Sequence, residues 1–411
     1  GCYPSLDDAP FEPRDVGVDV ADADIASDFA PSDNIVFVDA AAELPGTGAD
    51  TRPFQTISEA LETDAPVIAV AAGMYDVPSA WSFLSRRRIV GQGGQTQFTS
   101  SAPVVWTVAR GIELDGMQWN VNLTIAGDVL AQSVAWTDGL TIQGVSASRL
   151  EACSATGRGI AVVGGPQFGA RGLRITEVAG TALRLEVAGA EIIDLIIDTA
   201  EGQADDAGDG VAVFGGTVTL AGARIQNVAL RGITSMDADL TLRDVDVSGA
   251  NAGIWLAGET AALTDCTVTD VERTGILLVG APDRGTYSVR NTVVRNARLA
   301  GIQAQNADVT IVKSEFSGTG MSGNDANGLS LINSHVDASN CIFQGNETNG
   351  VYVPHPSSAV LDSNEYTENL VWGVVGVCGE GGEMPDVTDT NSTFMGNGSG
   401  DTANLLCAPP P

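Results

Sequence analysis

The stretch TVTDVERTGILLVG, Thr267–Gly280, decides the fold. It reads as a short strand, a turn, and then a glycine followed by a second apolar run. The phrase returns. DVSGANAGIWLAG at 246–258 precedes it, and VVRNARLAGIQAQ at 293–305, FQGNETNGVYVPH at 343–355 and YTENLVWGVVGVC at 366–378 follow. The glycine mark falls at Gly159, Gly180, Gly210, Gly232, Gly253, Gly275, Gly301, Gly328, Gly350 and Gly373. Five of the nine intervals are 21 or 22 residues, and the long ones of 30, 26 and 27 carry extra polar segments such as GQADDAGDG. The period is therefore about 22 residues, with loops inserted at corners, and self-similarity on that scale marks a stacked repeat.

A second alignment supports the same period. An apolar residue, four residues, and another apolar or aromatic one recur at Leu242–Val247, Leu263–Val268, Val289–Val294, Ile311–Phe316 and Leu361–Tyr366, with Val336–Ile342 one residue longer. Each window lies upstream of its own glycine mark. Short strands ending in Gly or Asn corners at this interval predict an all-β parallel β-helix with three strands per coil, about a dozen coils, roughly 55–60 Å long at ~4.8 Å per coil. Glycine suits corners that need positive φ or close backbone approach.

Upstream, IVFV and VIAV read as strands around Thr56-Ile-Ser-Glu59, a capping box that opens a short helix with Ile57, Ala60 and Leu61 on one face. Such a helix can cover the open end of a strand stack. The phrase FVDAAAELPGTGADTRPFQTISEALETDAPVIAVAAGMY at 37–75 resembles the cap and first coil of bacterial right-handed parallel β-helix proteins, the pectin-lyase-like superfamily. The likeness covers roughly residues 34–376. It implies the fold, while activity varies among proteins that share it. The chain divides into an acidic tether at 1–33, a cap and first coil at 34–98, coils at 99–376 and a C-terminal cap or tail at 377–411.

Net charge is −32 and Lys313 is the single lysine, so the basic face that nucleic acid requires is missing. An anionic membrane surface is disfavoured for the same reason, and no stretch is long and apolar enough to span a bilayer. The first 33 residues hold nine acids, one basic residue and four prolines, the composition of a flexible tether. Gly1–Cys2 is similar to the end of a bacterial lipobox, which implies lipidation at Cys2, an exported protein, and membrane contact only through that anchor at the outer membrane or cell surface; the alternative location is the periplasm. Cys378 and Cys407 flank the tail and enclose 28 residues. In an oxidising compartment they are expected to pair. Cys153, Cys266 and Cys341 fall inside the repeats as small apolar fillers.

Candidate chemistry is sparse. Uronate lyases that share this fold need a base for the proton beside a carboxylate, which singles out Lys313, with Arg290 and Arg295 about one coil earlier; a salt bridge on a solvated face is the competing role. Hydrolases of the fold carry spaced Asp motifs with Gly-His-Gly, and neither His335 nor His355 is flanked by glycines. Asp205, Asp206 and Asp209 lie in an acidic insertion that reads as a solvated corner loop or a weak calcium site, and no cofactor is required. Arg158, Arg231, Arg273 and Arg298 recur before glycine marks and could line up against an acidic glycan or neutralise neighbouring Asp and Glu. Trp106, Trp119 and Trp136 could form a sugar platform or fill the early coils. The reading is a non-enzymatic envelope β-helix that binds a polysaccharide or an envelope protein, or acts as a spacer. A polysaccharide lyase and a structural subunit of a surface assembly are the alternatives.

Overall fold

The structure, a computed structural model, describes residues 34–42, 46–144, 146–202, 208–280, 284–320, 326–379 and 382–403. Thr260–Thr264, Thr267–Val271 and Ile276–Gly280 form three successive faces of one coil. The next coil lies on it in parallel register, with Leu263 opposite Val289, Val268 opposite Val294 and Ile276 opposite Ile302. Repeated along the chain, the first two faces merge into a 27-stranded sheet and the third forms a 15-stranded one. The result is a parallel β-solenoid of about 14 turns. At ~4.8 Å per coil it is about 65 Å long.

The corners explain the polar positions in the repeat. Between the first and second faces the chain turns on Asp244, Asp265, Asn291, Lys313, Asn340 and Ser363, whose φ angles lie between 48° and 56°. Asp and Asn enter this left-handed region at less cost than other side-chain-bearing residues. A second left-handed position follows five residues later, at Gly249, Asp270, Asn296, Gly318, Gly345 and Glu368. Five residues separate the two inward columns as well. Leu242, Leu263, Val289, Ile311, Ala338 and Leu361 stack on one another, as do Val247, Val268, Val294, Phe316, Phe343 and Tyr366. All are buried. The irregular window at Val336–Ile342 is thereby corrected to Ala338–Phe343. Alanine is a weak apolar marker in sequence, and Ile342, taken for the inward residue, is 36% exposed.

Packing inside the solenoid changes along its length. Near the start, Phe98 and Trp119 approach to 4.7 Å, and Trp106 meets Trp119 edge-on at 5.0 Å. The middle is aliphatic, where each fully buried Leu or Ile contributes about 1.5–3 kcal/mol. Toward the end, Phe316, Phe343, Tyr366 and Phe394 stack with centroid spacings of 5.4, 5.3 and 4.8 Å. Beside them Asn346 Nδ2 donates to Asn369 Oδ1 at 2.8 Å, and Asn369 Nδ2 donates to Asn397 Oδ1 at 3.0 Å. The ladder lets buried amides satisfy one another from coil to coil. Cys153, Cys266 and Cys341 are free and buried just past the first corner. Burial pushes their thiols up to about 11, 12 and 11, so they pack as unreactive fillers.

The glycine marks from Gly210 to Gly373 have ordinary φ angles; they serve close approach. A Cβ on Gly253 would lie 2.3 Å from the Gly275 carbonyl oxygen and 2.4 Å from Val268 Cγ1. At the N-terminal end, the helix Ile57–Leu61 carries the complete capping box of Thr56 and Glu59, and buries Ile57, Ala60 and Leu61. At the other end the sequence reading closes the repeat too early. Asp386–Thr390, Thr393–Met395 and Gly400–Ala403 add one more parallel coil. Its inward positions are polar at Asp389, Ser392 and Asn397, which hid it from an apolar pattern.

Candidate functional site

A groove of about 430 Å³ runs along the first corner, lined among others by Leu173, Arg174, Asp194, Ile196, Arg224 and Asp246. Its floor consists of the residues that follow the turn, Leu173, Leu195 and Ala223, which face the core and are buried. Its rims are set by register. The residue before each turn points outward from the first face, and the second residue after it points outward from the second. Arg171, Arg243 and Arg290 occupy the first kind of position, Arg174 and Arg224 the second, and Lys313 is itself a turn residue. All six are exposed, and none makes an ion pair among the described residues. From Gly172 to Lys313 the turn column rises through Asp194, Gly222, Asp244, Asp265 and Asn291. Six coil steps of ~4.8 Å make this stripe about 29 Å long.

Acids interleave with the cations. Asp194, Asp244 and Asp265 are turn residues, and Asn291 Nδ2 donates to Asp265 Oδ1 at 3.1 Å. Asp246 is opposite Arg224 on one neighbouring coil and Thr267 on the other. The residue is exposed, yet its surroundings desolvate the carboxyl and raise its pKa. The hydrogen bond from Thr267 and the charge of Arg224 oppose the rise, and Asp244 adds to it. Each flexible guanidinium along the stripe can offer a carboxylate two parallel N–H donors.

The other expected site residues are scattered. The platform of Trp106, Trp119 and Trp136 is corrected: all three are at most 1% exposed and fill the core, because an indole stacked between coils removes more apolar area from water than one laid on the surface. Arg295 Nε and Nη2 donate to Glu315 Oε1 and Oε2 at 3.0 and 2.9 Å, so its guanidinium is engaged. This pairing raises Arg295 and lowers Glu315, the hydrogen bond being the largest cause for both. The arginine ladder does not form as a unit. Arg158 faces Asp138 at 3.6 Å, Arg298 pairs with Glu272, Arg231 lies over the Trp255 ring, and Arg273 has no ion pair among the described residues. Asp205, Asp206, Cys2 and Cys407 lie outside the described residues. Asp209 is buried and accepts the backbone N–H of Arg231 at 3.2 Å. Among the described residues no three His, Cys, Asp or Glu side chains gather in a metal-binding group. Cys378 is disulfide-bonded.

Arg171, Arg174, Arg224 and Arg243 escaped the sequence reading. Their signal is a fixed offset from the turn column, one residue before it or two after, and it becomes visible once the register is known.

Residues 187–335 match the family model described as "right handed beta helix region". No curated protein matches the sequence. Among solved structures, the chain is similar to the periplasmic alginate epimerase AlgG, at 11% identity over 80% of this chain and 85% of that one, with a TM-score of 0.48. It is also similar to the catalytic unit of an α-1,3-glucanase from Streptomyces thermodiastaticus, at 14% identity over 89% and 69% of the two chains, TM-score 0.47. Tailspike protein 3 of bacteriophage CBA120 matches at 12% identity over 92% and 62%, TM-score 0.49. These likenesses carry nothing about substrate. The family match over residues 187–335 and the coil-on-coil register agree on the architecture: the chain folds as a parallel β-helix.

Proposed function

We propose that this protein is an exported, non-enzymatic β-helix that holds a linear acidic polysaccharide along the first corner. One observation carries the reading: six exposed basic side chains that make no ion pair among the described residues, in a chain of net charge −32, share one edge of the solenoid. Elsewhere on the solenoid Arg158, Arg295 and Arg298 are paired with acids. A polymer with one carboxylate per sugar can meet successive coils, whereas a compact ligand reaches only two or three of the cations. The disulfide at Cys378 supports export, since such bonds persist in oxidising compartments.

A second reading, cleavage of the same polymer, rests on Asp246, whose raised carboxyl sits opposite Arg224. A group that exchanges a proton beside a cation binding the uronate is what elimination chemistry needs.

Calorimetric titration with polygalacturonate, and with neutral dextran as control, tests both. Saturable binding that weakens with added salt, is lost in Arg174→Gln/Arg224→Gln, and leaves the polymer intact is the expected result. Absence of binding at low salt overturns the proposal; formation of unsaturated uronate ends promotes the enzyme.

A further inference from the structure

The third face holds a separate charged group that the corner groove does not use. The Arg231 guanidinium carbon lies 3.5 Å from the centroid of the Trp255 ring on the adjoining coil. Its Nη1 is 3.5 Å from Thr234 Oγ1, and its backbone N–H donates to Asp209 Oδ1 at 3.2 Å. The side chain thus lies half-buried over an aromatic face that favours a cation. Arg273 stands two coils further on, next to Thr274, whose carbonyl accepts from Gly253 N–H. It is exposed and makes no ion pair among the described residues.

Desolvation lowers the pKa of Arg231, Asp209 opposes that, and the charge of Arg273 adds to it. Asp209 offsets one of the two cations. Glu272, the acid beside Arg273 in sequence, is paired with Arg298. Among the described residues, these acids leave one of the two positive charges unmatched. A half-buried arginine over an aromatic ring and an exposed one two coils on, roughly 10 Å along the axis, can converge on one anion.

We propose that Arg231 and Arg273, on the Trp255 platform, form a second binding site that takes a single small oxyanion, either a sugar carboxylate or a sulfate group. The site lies on a different face from the corner groove and works independently of it. Trp255 provides the readout. Tryptophan emission is followed while glucuronate or sodium sulfate is added, against sodium chloride at matched ionic strength and against glucose. Trp255→Phe identifies the part of the signal that comes from the site.

The expected result is a saturable change with glucuronate or sulfate, none with glucose, and none in Trp255→Phe. Arg273→Gln, an exposed substitution whose folding is checked by circular dichroism, weakens binding by about tenfold, the equivalent of one charge-assisted contact. Arg174→Gln and Arg224→Gln leave it unchanged. A response to glucuronate alone identifies a carboxylate ligand, and a response to sulfate alone a sulfate ester. A titration indistinguishable from sodium chloride, or one that Arg273→Gln does not alter, overturns the site whether or not the corner groove binds polymer.

Discussion

Gly253→Ala separates two reasons for glycine in this fold. The left-handed turn at Gly345 has φ 62° and open space around it, since a Cβ there meets nothing within 4 Å. Alanine at that turn pays only for its backbone conformation, about 1–2 kcal/mol. Gly253 has no such strain to relieve. Its new Cβ lands 2.3 Å from the Gly275 carbonyl oxygen, which already accepts Ile254 N–H at 2.9 Å, and 2.4 Å from Val268 Cγ1. A methyl-sized overlap forces either a side-chain shift inside a packed core or a ladder hydrogen bond to open. Overpacking costs about 1–3 kcal/mol, and loss of a backbone hydrogen bond adds about 1 kcal/mol. Gly253→Ala is therefore expected to destabilise by about 2–4 kcal/mol, more than Gly345→Ala. Urea unfolding followed by far-ultraviolet circular dichroism ranks the two. Hydrogen exchange then locates the damage, which in a stack of nearest neighbours stays within the coils around 253. Gly345→Ala proving the more harmful of the pair would refute the close-approach argument.

Other outcomes follow from the same structure. Non-reducing peptide mapping should find Cys378 linked to Cys407, and reduction should cost roughly 3–4 kcal/mol for a loop of that size; a peptide joining Cys378 to another partner would contradict it. Trp136→Ala should lose about 3–5 kcal/mol of stability while polygalacturonate affinity, measured on the folded fraction, stays unchanged; a parallel fall in affinity would restore the surface platform. Asp389 faces inward on the last coil, and burial raises its carboxyl above the ordinary range. The folded state then binds a proton that the unfolded state has released, so stability is full at low pH and falls as pH rises through the folded pKa. Asp389→Asn should flatten that fall for the C-terminal coil in urea titrations at several pH values, and an unaltered profile would count against it.

How far the sequence carried the fold depended on what each position must do. Gly275 and its relatives stand out because no other residue fits against the next backbone, and Leu263 with Val268 repeats a strict spacing of five. The capping box at Thr56 is legible for the same reason: local chemistry fixes it. Ala338 and Asp389 misled the reading because an inward position tolerates a small residue inside the stack and a polar one at its end. The groove was harder to see. Arg174 and Arg224 are 50 residues apart in a chain whose loops vary in length, and only the turn column shows that they share an edge. Arg273 and Arg298 look alike in sequence, and only the structure shows that Glu272 pairs with Arg298.

On the function proposed above, the corner stripe is the surface that acidic polymer covers. Phenylglyoxal modification of arginines, read by peptide mass spectrometry with and without polygalacturonate, tests this directly. Arg110 is exposed and without an ion pair among the described residues, but lies outside the stripe, so it reports general reactivity. The predicted result is that polymer slows modification of Arg171, Arg174, Arg224, Arg243 and Arg290 together, while Arg110 reacts at its original rate. Equal protection of all exposed arginines, or protection that spares Arg174 and Arg224, would contradict the assignment of the groove.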